Sequence, residues 1–297
     1  YVLYGAQMVS EHRYKKAYRF GAAALKLNHR FEDEKMLPKV HNFMANFISP
    51  YTKPLERNIP LYQKSLHQSK VNGDIVFGTW ANFLMHFSEY LSGKSLESLR
   101  VNIDKESQFL LNSGDQKMIA IFEVLRSTVH MWQEREEETS ETEAAAIVLW
   151  EEEKFYPALA WYGIIKAQTC WIEGEIDKGL KYLHRFIRSE ANEVIMFPKM
   201  RLHPLRALLL LGKKTPLSAE EESWLAEDLK LCDGYAASSP KEFKFWKALF
   251  RAKRAKEANQ YWDVAKLYDE ALNEARKNNT PFSIAVSALC AGRFWRE

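Results

Sequence analysis

Cysteine is scarce in this sequence: Cys170, Cys232 and Cys290 are the whole complement, far apart and odd in number. No C-x-x-C pair occurs, so zinc sites and disulfide frameworks are not expected, and a reducing, cytoplasmic setting fits best. Glycine (12) and proline (10) are also few for 297 residues. An all-β chain spends both freely on turns, so their scarcity favours long helices with short connections. A surplus of one charge is missing too. Lys+Arg 42 against Asp+Glu 39 leaves +3, too little to make nucleic acid the default partner. The longest apolar runs, Ala207 to Leu211 and Ala144 to Trp150, fall far short of the ~20 residues that span a bilayer, so membrane insertion is not expected. The chain opens Tyr1-Val2-Leu3-Tyr4 with no Met and no basic-then-apolar leader, and reads as a segment of a longer cytoplasmic protein.

What the chain does have is helical periodicity. Hydrophobic residues make up 46% and aromatics 13%, enough to bury a continuous core. Apolar positions recur at three- and four-residue steps in nearly every stretch between turn signals. The pattern predicts about fourteen helices and no strand. They include Ile75 to Leu91 closed by Ser92-Gly93, Leu96 to Leu111, and Tyr156 to Glu173 followed by a turn at Gly174. Gly212 is expected to cap the helix that ends at Leu211. Ser218 and Glu221 have the spacing of a capping box. The tract 133–143 carries six glutamates and no apolar anchor. It reads as an exposed loop or frayed end, a possible soft joint within a single unit spanning 1–297.

Small and aromatic residues recur in a fixed order. Gly5, Tyr14, Ala17 and Ala24 show it at the start, Ala167, Gly174, Ile176, Gly179, Leu183 and an oversized Phe186 in the middle, and Ala252, Ala255, Tyr261, Val264, Tyr268 and Ala271 near the end. Small residues on one face let a neighbouring helix approach closely while aromatics fill the space beside it. This order resembles the tetratricopeptide repeat, a helical hairpin of about 34 residues. Leu55, Asn58, Tyr62 and Ser65 echo it loosely. The resemblance implies an all-α, right-handed superhelix of antiparallel helical hairpins, with degenerate, irregular repeats.

Spaced landmarks carry a more specific resemblance. They are Val40 to Phe43, Ile48 to Leu55, Asn72-Gly73-Asp74 and Ser92 to Leu96, then Ser239 to Phe243, Leu267 to Ala271 and Ala288 to Trp295. Together they resemble the helical region of large bacterial multidomain signalling proteins. In those proteins a kinase-like domain and an AAA/STAND-type ATPase precede a degenerate tetratricopeptide superhelix, and GAF and histidine-kinase modules follow it. Tyr51 stands where that family tends to have Trp, and Glu242 where it tends to have Asn. The resemblance implies a noncatalytic segment that binds a regulatory protein or peptide, or couples adjoining domains of the parent chain.

The residues themselves offer little chemistry. Gly93-Lys94-Ser95 imitates the end of a phosphate-binding loop, but Ser88 stands where that loop needs its first glycine and no strand precedes it. No H-x-x-x-H or H-E-x-x-H occurs, so no metal is expected, and no cofactor. His184 lacks the context of a phospho-acceptor, and glutamates 151–153 read as a solvated face. No catalytic residue is nominated. On the repeat register Trp161, Gln168, Trp171, Lys253 and Lys256 fall on the concave face and are the expected partner-binding residues. A second reading is a small-ligand sensor that holds an effector in an aromatic-lined groove. A third, an α-helical enzyme, would need a pocket gathering several ionisable side chains.

Overall fold

A computed structural model of the chain describes residues 1–134, 140–187, 198–258 and 260–296. Every regular element among the described residues is helical. The first third holds α1 (Val2–Ser10), α2 (Tyr14–Phe31), α3 (Leu37–Phe43), α4 (Ile59–Asn72) and α5 (Ile75–Ser92). A π-helical turn, Met44–Ile48, and two 3-10 turns, Ser49–Tyr51 and Leu55–Asn58, carry the chain from α3 to α4. Then come α6 (Leu96–Leu111), α7 (Gln116–Glu134), α8 (Ser140–Glu152), α9 (Tyr156–Glu173) and α10 (Ile176–Ile187). The last third is α11 (Pro198–Leu210), α12 (Ala219–Ser238), α13 (Pro240–Glu257), α14 (Tyr261–Asn278) and α15 (Pro281–Arg296).

Local chemistry sets many of these boundaries. Ser218 accepts from the Glu221 amide while the Glu221 carboxylate accepts from the Ser218 amide, which satisfies two otherwise orphaned donors at the start of α12. Gly93 and Gly174 end α5 and α9 in the left-handed conformation, at φ +77° and +88°, where a side chain would be strained. Gly212 is a correction. It follows α11 without a positive φ among the left-handed residues, and the chain leaves through turns from Gly212 to Leu209 and from Lys213 to Leu210.

The soft joint expected at 133–143 falls where two helices end and begin. Gln133 and Glu134 end α7, and residues 140–143 begin α8. Residues 135–139 lie outside the described ones. Helix α8 is held by Trp150, which is fully buried and donates from Nε1 to the Lys117 carbonyl at 3.1 Å. Glu143 accepts from the Tyr162 hydroxyl at 3.0 Å and from Lys166 Nζ at 3.1 Å, which ties α8 to α9.

Each helix packs on its successor, and α5, α7, α9, α11, α13 and α15 also touch in that order. Helix α15 returns to α5. These central helices are consequently wrapped by protein: nearly every residue of α5 from Gly78 to Ser92 and of α9 from Ala158 to Trp171 is buried. One hydrophobic cluster runs from Met8 to Ala291. Two small residues of the repeat pattern, Gly5 and Gly179, sit at helix crossings. A Cβ on Gly5 would lie 3.0 Å from the Ala17 carbonyl, and one on Gly179 would lie 3.0 Å from Leu209.

Candidate functional site

The corner between α1 and α2 begins an open cleft. Helix α1 closes with His12 in the left-handed conformation at φ 57°, its amide bonded to Val9 and that of Arg13 to Met8. This is the hydrogen-bond pattern of a helix end that usually takes glycine. The reversal throws Arg13, Lys15 and Lys16 together at the start of α2. That N-terminus has no side-chain cap and no acidic residue in its first turn. Exposed amides and the helix dipole make such an end positive, so cations there are locally unfavourable and an anion is favoured.

Across from this corner α12 supplies Glu227 and Lys230, and the two walls enclose a cleft of about 690 Å³. Arg13 pairs with Glu11 at 3.2 Å. Lys15, Lys16 and Lys230 are exposed and make no ion pair among the described residues. The cleft is therefore basic, with one carboxylate on its wall.

Its floor is rigid. Tyr14 accepts or donates at 2.7 Å with His12 Nδ1 and stacks on Tyr51 with ring centres 5.0 Å apart. Tyr235 of α12 closes on both, at 6.0 and 5.9 Å. Burial pushes the Tyr14 phenol up to about 12, and Tyr51 and Tyr235 higher still, so the trio stays neutral at any physiological pH. Behind it Asp228, fully buried, takes two 2.7 Å bonds from Arg206 and lies 2.7 Å from His203 Nδ1. A bidentate pair of this kind fixes α11 against α12.

The expected groove-facing positions of Trp161, Gln168 and Trp171 are corrected. All three are buried, at 0%, 5% and 3% exposure. Trp161 packs against Phe83 at 4.7 Å and Trp80 at 5.5 Å, so α5 fills the face that was expected to be open. Arg293 of α15 lies 5.1 Å over the Trp171 ring and donates to the Trp171 carbonyl at 3.1 Å. Lys253 and Lys256 on α13 are half-buried and engaged within the chain. The structure does not bring them together with the other three into one surface.

The remaining sequence candidates have structural roles. Gly93 caps α5, Lys94 pairs with Glu89 at 2.6 Å, and Ser95 caps α6 by accepting from the Ser98 amide. His184 packs on Trp224 with ring centres 4.3 Å apart. Glu151 pairs with Arg185 and Glu153 with Lys117. Among the described residues no three His, Cys, Asp or Glu side chains gather as metal ligands, and no helix is long and apolar enough to cross a membrane. The basic cleft was missed in the sequence because its walls lie more than 200 residues apart. The one available signal was the run Arg13-Tyr14-Lys15-Lys16, cations where a helix start favours acids.

No protein-family model matches the chain, and no curated protein or solved structure matches it either.

Proposed function

We propose that the chain is a noncatalytic interaction segment, and that it binds an acidic peptide, or an acidic face of an adjoining domain, in the cleft between α2 and α12. The observation that carries this reading is the cleft's charge: Lys15, Lys16 and Lys230 around an uncapped helix start. In the same reading the helices form a right-handed superhelix of degenerate tetratricopeptide-like hairpins. The succession of contacts from α5 to α15 by alternate helices supports it, as do the small residues at the crossings. The parent would be a bacterial multidomain signalling ATPase or histidine kinase of the cytoplasm. Three buried cysteines without a disulfide are compatible with that setting. Binding at the cleft, which joins the first hairpin to a late helix, would bias the arrangement of the modules on either side.

Fluorescence anisotropy with a labelled glutamate-rich peptide tests the cleft. The expected result is binding that weakens steeply with salt and falls at least ~10-fold in the triple variant Lys15→Glu, Lys16→Glu, Lys230→Glu. A matched peptide with Gln for Glu should not bind. Equal affinity of the triple variant and the wild type would sink the proposal.

A further inference from the structure

A second, smaller cavity lies between α4, α5 and α6 and shares no lining residue with the basic cleft. Its volume of about 320 Å³ sits at the small end of ligand pockets, which run ~300–1,000 Å³. Leu66 and Met85 give it an apolar base, and both are buried. The polar part is built around Glu89, a carboxylate only 3% exposed. Burial alone would push Glu89 up, but hydrogen bonds from His86 and Lys94 outweigh it and hold the carboxyl below its ordinary range. The site therefore keeps an anion ready-made at its base.

His86 adds an unmet demand. Its ring is fully buried and lines the cavity; Nδ1 lies 3.2 Å from Glu89 Oε2 and is committed to that carboxylate. Nε2 is buried and has no hydrogen-bond partner. A buried polar atom left unpaired costs ~1–3 kcal/mol, so such an atom on a cavity wall points to something the cavity takes up. In the tautomer that carries its proton on Nδ1, toward Glu89, His86 offers Nε2 as an acceptor, and what it lacks is a donor.

The rim supplies both signs. Glu106 of α6 is paired with Lys70 of α4 at 2.6 Å. Its neighbour Lys105 is exposed and makes no ion pair among the described residues. Acceptors therefore cluster at Glu89, His86 and Glu106, and a spare cation stands one residue away. A ligand carrying only a negative charge would leave His86 Nε2 unmet. A simple amine would leave Lys105 unmet.

We infer that this cavity binds a small zwitterion of the α-amino-acid class, its ammonium toward Glu89, His86 and Glu106 and its carboxylate toward Lys105, with an aliphatic side chain over Leu66 and Met85. The site is independent of the basic cleft, and either can fail without the other.

Calorimetric titration of the full chain with L-leucine, isoamylamine and 4-methylpentanoate separates the chemistries. Leucine is expected to bind with Kd below ~1 mM, and the amine and the acid at least ~10-fold more weakly. Lys105→Met should weaken leucine at least ~5-fold and leave the amine unchanged; Glu106→Gln should weaken leucine and leave the acid unchanged. Both positions lie on the rim, so the variants are expected to fold, and circular dichroism checks this. The inference is overturned if leucine does not bind at ~10 mM, or if the acid binds as well as leucine, which would define a plain anion site. Unchanged leucine affinity in both variants would overturn it as well.

Discussion

Arg201 donates a 2.9 Å hydrogen bond to the main-chain carbonyl of Leu91, 110 residues earlier in the chain. The same guanidinium lies 4.0 Å over the Phe282 ring and 3.6 Å from the Glu242 carboxylate. One buried cation thus joins α11 to the end of α5, to α13 and to α15. Burial lowers Arg201 to about 10, with Glu242 opposing the shift, so it stays charged at neutral pH. Removing it as Arg201→Met strands a buried carboxylate, and the expected cost is about 3–5 kcal/mol in denaturant unfolding. The double variant Arg201→Met, Glu242→Gln should recover at least about 1 kcal/mol of that loss, because the charge it leaves behind is gone. Additive losses would mean that the two side chains do not interact.

Glu242 gives the protein a pH signature. Burial pushes its carboxyl up to about 6 from the ordinary 4.5, against the pull of Arg201 and with a push from Glu56. A raised carboxyl binds its proton more tightly in the folded state. Its contribution is complete below pH 4.5 and is lost as the pH rises through about 6. Glu56 is raised as well, chiefly by burial, and acts in the same sense. The size expected for Glu242 is about 2 kcal/mol. Urea midpoints measured across this window should fall with rising pH in the wild type and flatten in Glu242→Gln. An equal slope in both proteins would refute the assignment.

Two glycines in the same left-handed conformation should tolerate alanine very differently. Gly73 and Gly93 cap successive helices at φ +70° and +77°. A Cβ on Gly73 meets nothing within 4 Å, whereas one on Gly93 would lie 2.5 Å from the Phe282 amide nitrogen and 2.9 Å from its Cα. Gly73→Ala should cost about 1 kcal/mol, the backbone term alone. Gly93→Ala must also push α15 away from the end of α5, and should cost at least about 2 kcal/mol more. Thermal melts of the two variants side by side check the difference.

The local grammar of this fold was legible and its closure was not. Ser218 and Glu221, or Gly174 between two apolar runs, announce helix ends within four residues, and the structure uses them so. Helix α8 escaped because the glutamates before it looked like a loop, while its anchor Trp150 finds the Lys117 carbonyl 33 residues away. Trp161 and Trp171 lie on a helix apolar enough to be buried on every side. Periodicity cannot say whether such a face meets solvent, a partner or the chain's own α5 and α15. Asp228 shows the opposite case. On α12 it looks like one more solvated acid, and only Arg206 and His203, arriving from α11, make it an interior residue.

The basic cleft predicts a conflict between stability and binding at the start of α2. Arg13, Lys15 and Lys16 surround a helix N-terminus that has neither cap nor acid, so the dipole works against them by about 0.3–1 kcal/mol each. Lys15→Glu and Lys16→Glu reverse that term. Both side chains are exposed and unpaired among the described residues, so no packing is lost. The double variant should therefore melt a few degrees higher than the wild type, a gain of about 1 kcal/mol at low salt that shrinks as salt is added. The same variant should lose most of its affinity for a glutamate-rich peptide. Surface lysines with no task would give the first result without the second. A variant that is both more stable and unable to bind would show that the chain keeps these cations at a cost to its fold, as expected where a local rule is broken for function.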